Sequence, residues 1–339
     1  MSELVPDFSG LRVAVAGDLV ADHYLHAEPQ RLSREAPVMV LRHRAEEVGA
    51  GGAANVARNL RALGASVEVF GAVGRDPSGR ELLRTLEADG IGAGQVLSEP
   101  GWTTPTKTRV VAAEARRFPQ QVLRIDREPD APLPEARVST LLAALRERVD
   151  ELDALVISDY EYGLVGAPLA DLARELAGVG KVVVLDPRSR VEGFEGITAL
   201  TPNVGELAAF TGVEPGGLDE VGALREAANN LWKQAGSLHL LVTRGNLGMA
   251  LFGAGLPEEG VAVEASGDGE VTDVSGAGDT AASVFALALA GGCDPTRAMV
   301  LANAASGLVV MENGCAVCTR AELEGVLATA PAPTRLASR

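Results

Sequence analysis

Short apolar runs alternate with amphipathic stretches along most of the chain. LRVAVAG (11–17) reads as a buried strand, and GAANVARNLRALG (52–64) as a helix that stops on Gly64. SVEVFGAVG (66–74) reads as the next strand, and PSGRELLRTLEADG (77–90) as a helix with proline at its start and glycine at its end. DALVISD (153–159), KVVVLDP (181–187) and LHLLVTRG (238–245) are further runs rich in Val, Leu and Ile, separated by helical patterns. Apolar strands alternating with helices predict an α/β fold whose mostly parallel central sheet is covered on both faces.

Two regions break this rhythm. YLHAEPQRLSREAPVMVLRHR (24–44) and PTKTRVVAAEARRFPQQVLRIDR (105–127) show the polar alternation of strand pairs. They predict a small β lid over a site, with strands at about 24–44 and 105–125. No repeat or low-complexity linker cuts the chain, so a single domain over 1–330 is expected, followed by a flexible tail, PAPTRLASR (331–339).

Composition narrows the function. Of 339 residues, 47% are hydrophobic and 22% charged, the balance of a soluble globular protein. No apolar run reaches the roughly 18 residues that span a bilayer. MSELVPDFSGLRVAVAGD has no basic segment before its first apolar run, so no signal peptide is expected. Three cysteines make a poor disulfide framework and point to the reducing cytoplasm. A net charge of −16 argues against nucleic acid or an anionic membrane as partner. A bound anion must then be met by local devices: backbone amides, helix N-termini, a few arginines or a metal ion.

DVSGAGDT (273–280) supplies such a device. Gly276, Ala277 and Gly278 precede a long apolar helix, and small residues let an anion approach the amides at its positive end. Asp279, in the first turn, either caps the helix or takes the proton from a hydroxyl attacking a phosphate held there. Asp18 closes the first strand with Asp22 four residues on, as turn residues or as acceptors for sugar hydroxyls. GAGGAAN (49–55) opens a helix with Gly51, Gly52 and Asn55, which serve either close packing or a ligand against backbone. In TPNVGEL (201–207), Asn203 and Glu206 have capping-box spacing; they initiate a helix or hold hydrated Mg2+ near phosphate through waters.

Other motifs lead elsewhere. GAGGAA also fits a dinucleotide fingerprint with Glu68 following, but polar HRAEEV separates it from the preceding strand and DVSGAGDT is left without a role. Cys315 and Cys318 form a C-x-x-C with no second pair, read as buried or half-buried thiols near the nucleotide end. The four histidines lack partners at metal-ligand spacing.

Over essentially its whole length the chain resembles the ribokinase/PfkB family of carbohydrate kinases. GGAANVARNLRALGASVEVFGAVGRDPSGRELLRTLEADGI matches the N-terminal signature of that family, and DVSGAGDT the C-terminal one. Within the family it is most similar to kinases that phosphorylate the anomeric hydroxyl of D-glycero-D-manno-heptose 7-phosphate, on the route to ADP-heptose and bacterial lipopolysaccharide. GDLVADHY, RLSREAPVMV, PTKTRV, QQVLRID, SDYEYG, LDPR and LLVTRGNLGM carry that likeness.

The resemblance implies a ribokinase-like three-layer sandwich that uses ATP and Mg2+. Asp279 would be the general base and the amides of 276–279 the anion hole. Asn203 and Glu206 would order Mg2+, and Asp273 and Ser275 are candidates for a K+ site. Asp18, Gly51, Gly52 and Asn55 would grip the sugar. Arg31, Lys107, Arg109 and Arg124 are lid cations for its resident phosphate. Thr243, Gly245 and Asn303 would contact the nucleotide, and a homodimer would form through the lid. Two positions depart from the heptose kinases: Tyr162 and Arg188 stand where those enzymes usually have lysine. No stretch resembles the nucleotidyltransferase fused to some of them. Another sugar or sugar phosphate, such as fructose, ribose or fructose 6-phosphate, is the alternative substrate, and a non-catalytic sugar-binding relative the remaining reading.

Overall fold

The computed structural model describes residues 5–113, 120–214, 216–267 and 271–336. The first half contains β1 (Arg12–Gly17), β2 (Leu19–Leu32), β3 (Met39–Gly52), α1 (Ala53–Ala62), β4 (Ser66–Gly74), α2 (Pro77–Ala88) and β5 (Gly92–Glu99). Next come β6 (Thr106–Ala112), β7 (Gln120–Arg127), α3 (Glu135–Arg146), β8 (Ala154–Ser158), α4 (Ala167–Gly178) and β9 (Val182–Asp186). The rest comprises β10 (Ala199–Leu200), α5 (Val204–Thr211), α6 (Val221–Ala235), β11 (His239–Thr243), β12 (Met249–Gly253), β13 (Val261–Val263), α7 (Ala277–Ala290), α8 (Pro295–Val309), α9 (Arg320–Leu327) and β14 (Thr334–Arg335).

Ten strands form the main sheet in the order β5-β4-β1-β8-β9-β10-β11-β12-β13-β14. Pairing is parallel from β5 to β11 and antiparallel from β11 to β14. Alternation along each central strand feeds two separate cores. Val13 and Val15 of β1 and Val156 of β8 join a cluster with α1, α7 and α8. Ala14, Ala16, Leu155 and Ile157 face the opposite cluster, with α3, α4 and α6. Helix, sheet and helix make three layers, and the near-continuous apolar strands follow from burial on both faces. Sequential connections leave β1 in opposite directions, to β4 on one side and β8 on the other, which opens a crevice at their carboxyl ends.

A second sheet runs β3-β2-β6-β7. β2 starts two residues after β1 ends, and β3 runs directly into α1, so both enter this sheet from the mouth of the crevice. HRAEEV is therefore strand and not a spacer: β3 continues through it to Gly52. Its neighbour is an antiparallel lid strand, so the glycines do not sit in a parallel βαβ unit, and the dinucleotide reading fails on topology instead. Residues 114–119, within the expected lid region, lie outside the described residues.

The tail differs from expectation. Thr334 and Arg335 pair with Ala262 and Val261, and Leu336 is buried among the second core's side chains. A single apolar residue after PAPTR supplies the contact that holds the segment on the sheet edge. Residues 337–339 lie outside the described residues.

Candidate active site

The crevice is built at the carboxyl ends of β1, β8, β9, β10 and β11, with the N-terminus of α7 facing them. Gly276 caps α7 with φ 79°, and among the described residues no side chain accepts from the first amides of that helix. A methyl group at Gly276 would run into Nδ2 of Asn55, so both conformation and space require glycine. At Gly278 an added Cβ would meet nothing within 4 Å. The protein leaves that space open, and it faces two adjoining cavities.

The smaller cavity, about 170 Å³, is lined by Asp159, Tyr160, Asp186, Arg188, Asn203, Glu206 and the Gly276–Asp279 turn, among others. The larger, about 460 Å³, is mostly apolar: Met249, Val271, Val274, Ala277, Val310 and Met311 form much of its wall. Thr243 and Gly278 line both. Gly245 and Asn303 line the larger one, and Asn303 Nδ2 donates to the carbonyl of Glu264 at 2.9 Å. The pair has room for a flat apolar base on one side and a polar phosphate chain on the other.

Asp279 does not cap its helix. Its Oδ2 accepts from Asn55 Nδ2 at 3.0 Å and its Oδ1 from the Tyr160 hydroxyl at 3.1 Å. Only 3% exposed, it has its pKa pushed up to about 7 by burial, against the two hydrogen bonds. A carboxyl poised there suits general base work near neutral pH. Behind it, Asn59 Nδ2 donates to the carbonyl of Asn55, and Thr280 Oγ1 to Asn59 Oδ1, so a buried polar ladder locks α1 to α7.

Asp18 accepts through Oδ2 from the amides of Tyr160 at 2.9 Å and Tyr162 at 3.1 Å, and burial raises its pKa to about 6. Gly51 and Gly52 pack beside it: a Cβ on Gly51 would strike the Asp22 carboxylate, and one on Gly52 the carbonyl of Asp18. Asn55 is turned to Asp279. Asp22, singled out beside Asp18, forms a buried ion pair with Arg109 (side chains 6% and 11% exposed, respectively) and accepts from Cys315 Sγ at 2.9 Å.

The four lid cations separate. Lys107 reaches the site, with Nζ 4.8 Å from the centroid of the Tyr160 ring; burial lowers its pKa. Arg109 is committed to Asp22, and Arg124 to Asp126 through two hydrogen bonds. Arg31 is not brought to this site. It stands nine residues beyond Asp22 on the same strand, roughly 30 Å at the rise of a β-strand. It is exposed at the far end of the lid and bonds the carbonyl of Leu32.

Asn203 and Glu206 form a full capping box on α5, and Arg188 Nη1 bonds Glu206 Oε1 at 3.2 Å. Burial raises the pKa of Glu206, and more strongly that of Asp186, which also feels Asp279, Glu206 and Asp159. These four carboxyl groups around one small cavity repel one another, a deficit of positive charge that a divalent cation would relieve. Among the described residues no three acidic, His or Cys side chains converge closely enough to chelate a metal directly. The arrangement fits a cation held through its water shell. Asp273 is different: Oδ1 accepts from the Ser275 amide, and Oδ2 from the Gly314 amide and the Tyr24 hydroxyl. Those bonds pin the loop before α7.

Cys315 sits beside Asp22, and burial drives its thiol far up. Burial pushes Cys318 up to about 12. Both are free, inert thiols.

A profile described as "pfkB family carbohydrate kinase" matches residues 11–322. The chain belongs to the PfkB family of carbohydrate kinases. It is 39% identical over 326 residues to "Bifunctional protein HldE" of Desulfatibacillum aliphaticivorans, covering 96% of this chain and 64% of that protein. A second HldE, from Halorhodospira halophila, is 40% identical over 335 residues, 98% of this chain and 67% of that one. The chain thus spans about two thirds of the length of these relatives. Among solved structures, Arabidopsis thaliana ribokinase complexed with ribose and ATP superposes with a TM-score of 0.71 at 20% identity, covering 94% and 98% of the two chains. Escherichia coli phosphofructokinase-2 in complex with potassium gives 0.74 at 20%, covering 94% and 99%. The fold is ribokinase-like, and this PfkB chain is a sugar kinase.

Several site residues went unnoticed in the sequence. Tyr160, Asp159 and Asp186 stand at or just past the ends of β8 and β9, inside SDYEYG and LDPR. The rule that α/β ligands sit at strand carboxyl ends would have picked them out.

Proposed function

We propose that this PfkB chain transfers the γ-phosphoryl of MgATP to the anomeric hydroxyl of D-glycero-D-manno-heptose 7-phosphate, giving the 1,7-bisphosphate and ADP. The observation that carries the chemistry is Asp279, a buried carboxyl at a bare helix N-terminus where two cavities meet. The sugar hydroxyl gives its proton to Asp279 as its oxygen bonds to the γ-phosphorus and the bond to ADP breaks. The amides of Gly276, Gly278 and Asp279 would face the transferring oxygens and stabilise their charge, while that of Ala277 donates to the Val274 carbonyl. The apolar cavity takes the adenine, with Thr243, Gly245 and Asn303 on its wall.

Glu206 and Asn203, with Asp186 behind them, would hold hydrated Mg2+ in the smaller cavity. Bound there, the ion neutralises phosphate charge that the acidic walls otherwise oppose. Asp18 and the Gly51–Gly52 backbone border the sugar. Lys107, which among the described residues is the lid cation at the site with no carboxylate bonded to it, is the candidate receiver for the 7-phosphate. Identity of 36–40% to HldE proteins, together with the motifs quoted above, supports heptose. Tyr162 hydrogen-bonds Glu128 at 2.9 Å where a lysine would have carried charge, so the sugar pocket is less cationic than in the heptose kinases.

Leu32, Val38, Met39, Val122, Leu123 and Ile125 are all more than half exposed on the lid. A second copy covering them would make the homodimer.

The test is ADP release with MgATP against heptose 7-phosphate, fructose 6-phosphate, fructose and ribose. Heptose 7-phosphate should be the best substrate, and Asp279→Asn should cut its turnover by roughly 10²- to 10⁴-fold. Preference for another sugar overturns the heptose assignment. Full turnover by Asp279→Asn overturns the role of the base.

A further inference from the structure

Tyr160 is a half-buried group bonded to Asp279 whose presence the phosphate chemistry alone does not explain. Its hydroxyl meets Asp279 Oδ1 at 3.1 Å, opposite Asn55 on Oδ2. The backbone goes to some length to put it there. Glu161, the next residue, has φ 68°, the one non-glycine in a left-handed conformation among the described residues. On either side of it the amides of Tyr160 and Tyr162 are both held by Asp18, and the Glu161 amide by Asp159 Oδ1. The ring lies against Gly52, where a Cβ would come within 3.3 Å of Cε2. Lys107, from lid strand β6, stands over the ring with its Nζ 4.8 Å from the centroid. A strained, three-point turn and a lid cation thus fix one hydroxyl on one carboxylate oxygen.

We propose that Tyr160 is a positioning residue for Asp279: with Asn55 it holds the carboxylate in a single orientation, so that the remaining lone pairs point into the cavity where the attacking hydroxyl arrives. A carboxylate gripped on both oxygens loses no rotamer freedom during the reaction, and the gain appears in the transition state. The proposal rests on the reading of Asp279 as base. Burial of both groups keeps the phenol protonated, so it donates and never competes for the proton. Ionisable groups facing Asp279 are Tyr160 after β8, Asp186 at the end of β9, Asp22 on β2 with Cys315 beside it, and Lys107 on β6. Tyr160 and Lys107 favour the charged form of Asp279, and Asp22 opposes it.

Two readouts on Tyr160→Phe decide the matter. The substitution keeps the ring, its packing and its cation partner, and removes only the donor. With heptose 7-phosphate and MgATP, kcat should fall roughly 10- to 100-fold, as expected for a lost hydrogen bond to a charged group. KM for ATP should hardly change, and the acid limb of kcat/KM should move to higher pH by about one unit. In parallel, 13Cγ NMR of aspartate-labelled protein follows the Asp279 carboxyl, assigned by its loss in Asp279→Asn. Its midpoint should rise by the same amount, while Tyr162→Phe, whose hydroxyl bonds Glu128, leaves it in place. The NMR arm needs no sugar, so it stands apart from the substrate assignment. An unmoved midpoint, or a loss confined to KM, overturns the proposal.

Discussion

Replacing Asp279 by asparagine should make the protein more stable, and more so at alkaline pH. The carboxyl has an ordinary pKa of 3.8 in the unfolded chain and about 7 in the fold, raised chiefly by burial. Below pH 3.8 both states are protonated and the site costs nothing. Between 3.8 and 7 the unfolded chain ionises while the folded one does not, so stability falls as pH rises. Above 7 both are charged and the full penalty remains, about 3 units or about 4 kcal/mol. Asparagine is neutral throughout and escapes it. At pH 5.5, kept above the isoelectric point of about 4.8, the variant should gain about 2 kcal/mol, rising to about 4 kcal/mol at pH 8. Urea unfolding of both proteins at the two pH values measures this through the midpoints, with m unchanged. An advantage that is the same at both pH values, or an asparagine variant that is weaker at pH 8, would show that Asn55 and Tyr160 outweigh burial and that Asp279 is an ordinary low-pKa carboxylate.

The two glycines of the α7 mouth should answer differently to alanine. Gly276→Ala meets Asn55 and a positive φ, so it should destabilise by about 1–3 kcal/mol and disturb the base; Gly278→Ala has free space, so it should fold normally by circular dichroism and thermal melt yet raise KM for ATP. Leu336→Ala should lose about 2–3 kcal/mol in urea unfolding; no loss would return the C-terminal segment to a frayed tail.

Much of this architecture is written in local pattern. The β1, β4, β8 and β9 runs are largely apolar on both faces because both faces are covered, so their strands fall within a residue or two of where hydropathy puts them. Gly276 and Gly278 were visible as a glycine pair before a helix, but not that one serves the chain and the other the ligand space. That distinction lies in Asn55, more than 200 residues away. The lid cations show the limit most clearly. Sequence placed Arg31 beside Lys107 as an equal candidate, yet a strand advances a full rise with every residue, and β2 carries Arg31 out of reach. Arg109 and Arg124 read as free charge until Asp22 and Asp126 claim them. Leu336 was lost among the polar and proline-rich residues of its segment, because one apolar side chain has no periodicity.

The long lid ribbon has a mechanical consequence. β2 leaves the crevice beside Asp18 and runs fourteen residues to Leu32, with β3 returning along it to Gly52. Such a ribbon reaches roughly 45 Å, so each degree of rotation at its root sweeps the tip through roughly 0.8 Å. The register shifts at His26/Ala27 and at Pro29/Arg31 are where it bends most readily. Asp22, the root's buried charge, is tied to Arg109 on the neighbouring strand, so the two strands turn as one arm. A sub-ångström shift at the root would thereby be geared up into a larger displacement at Leu32 and Met39, which face each other at the tip, so that a fluorophore there paired with one on the main sheet would register it.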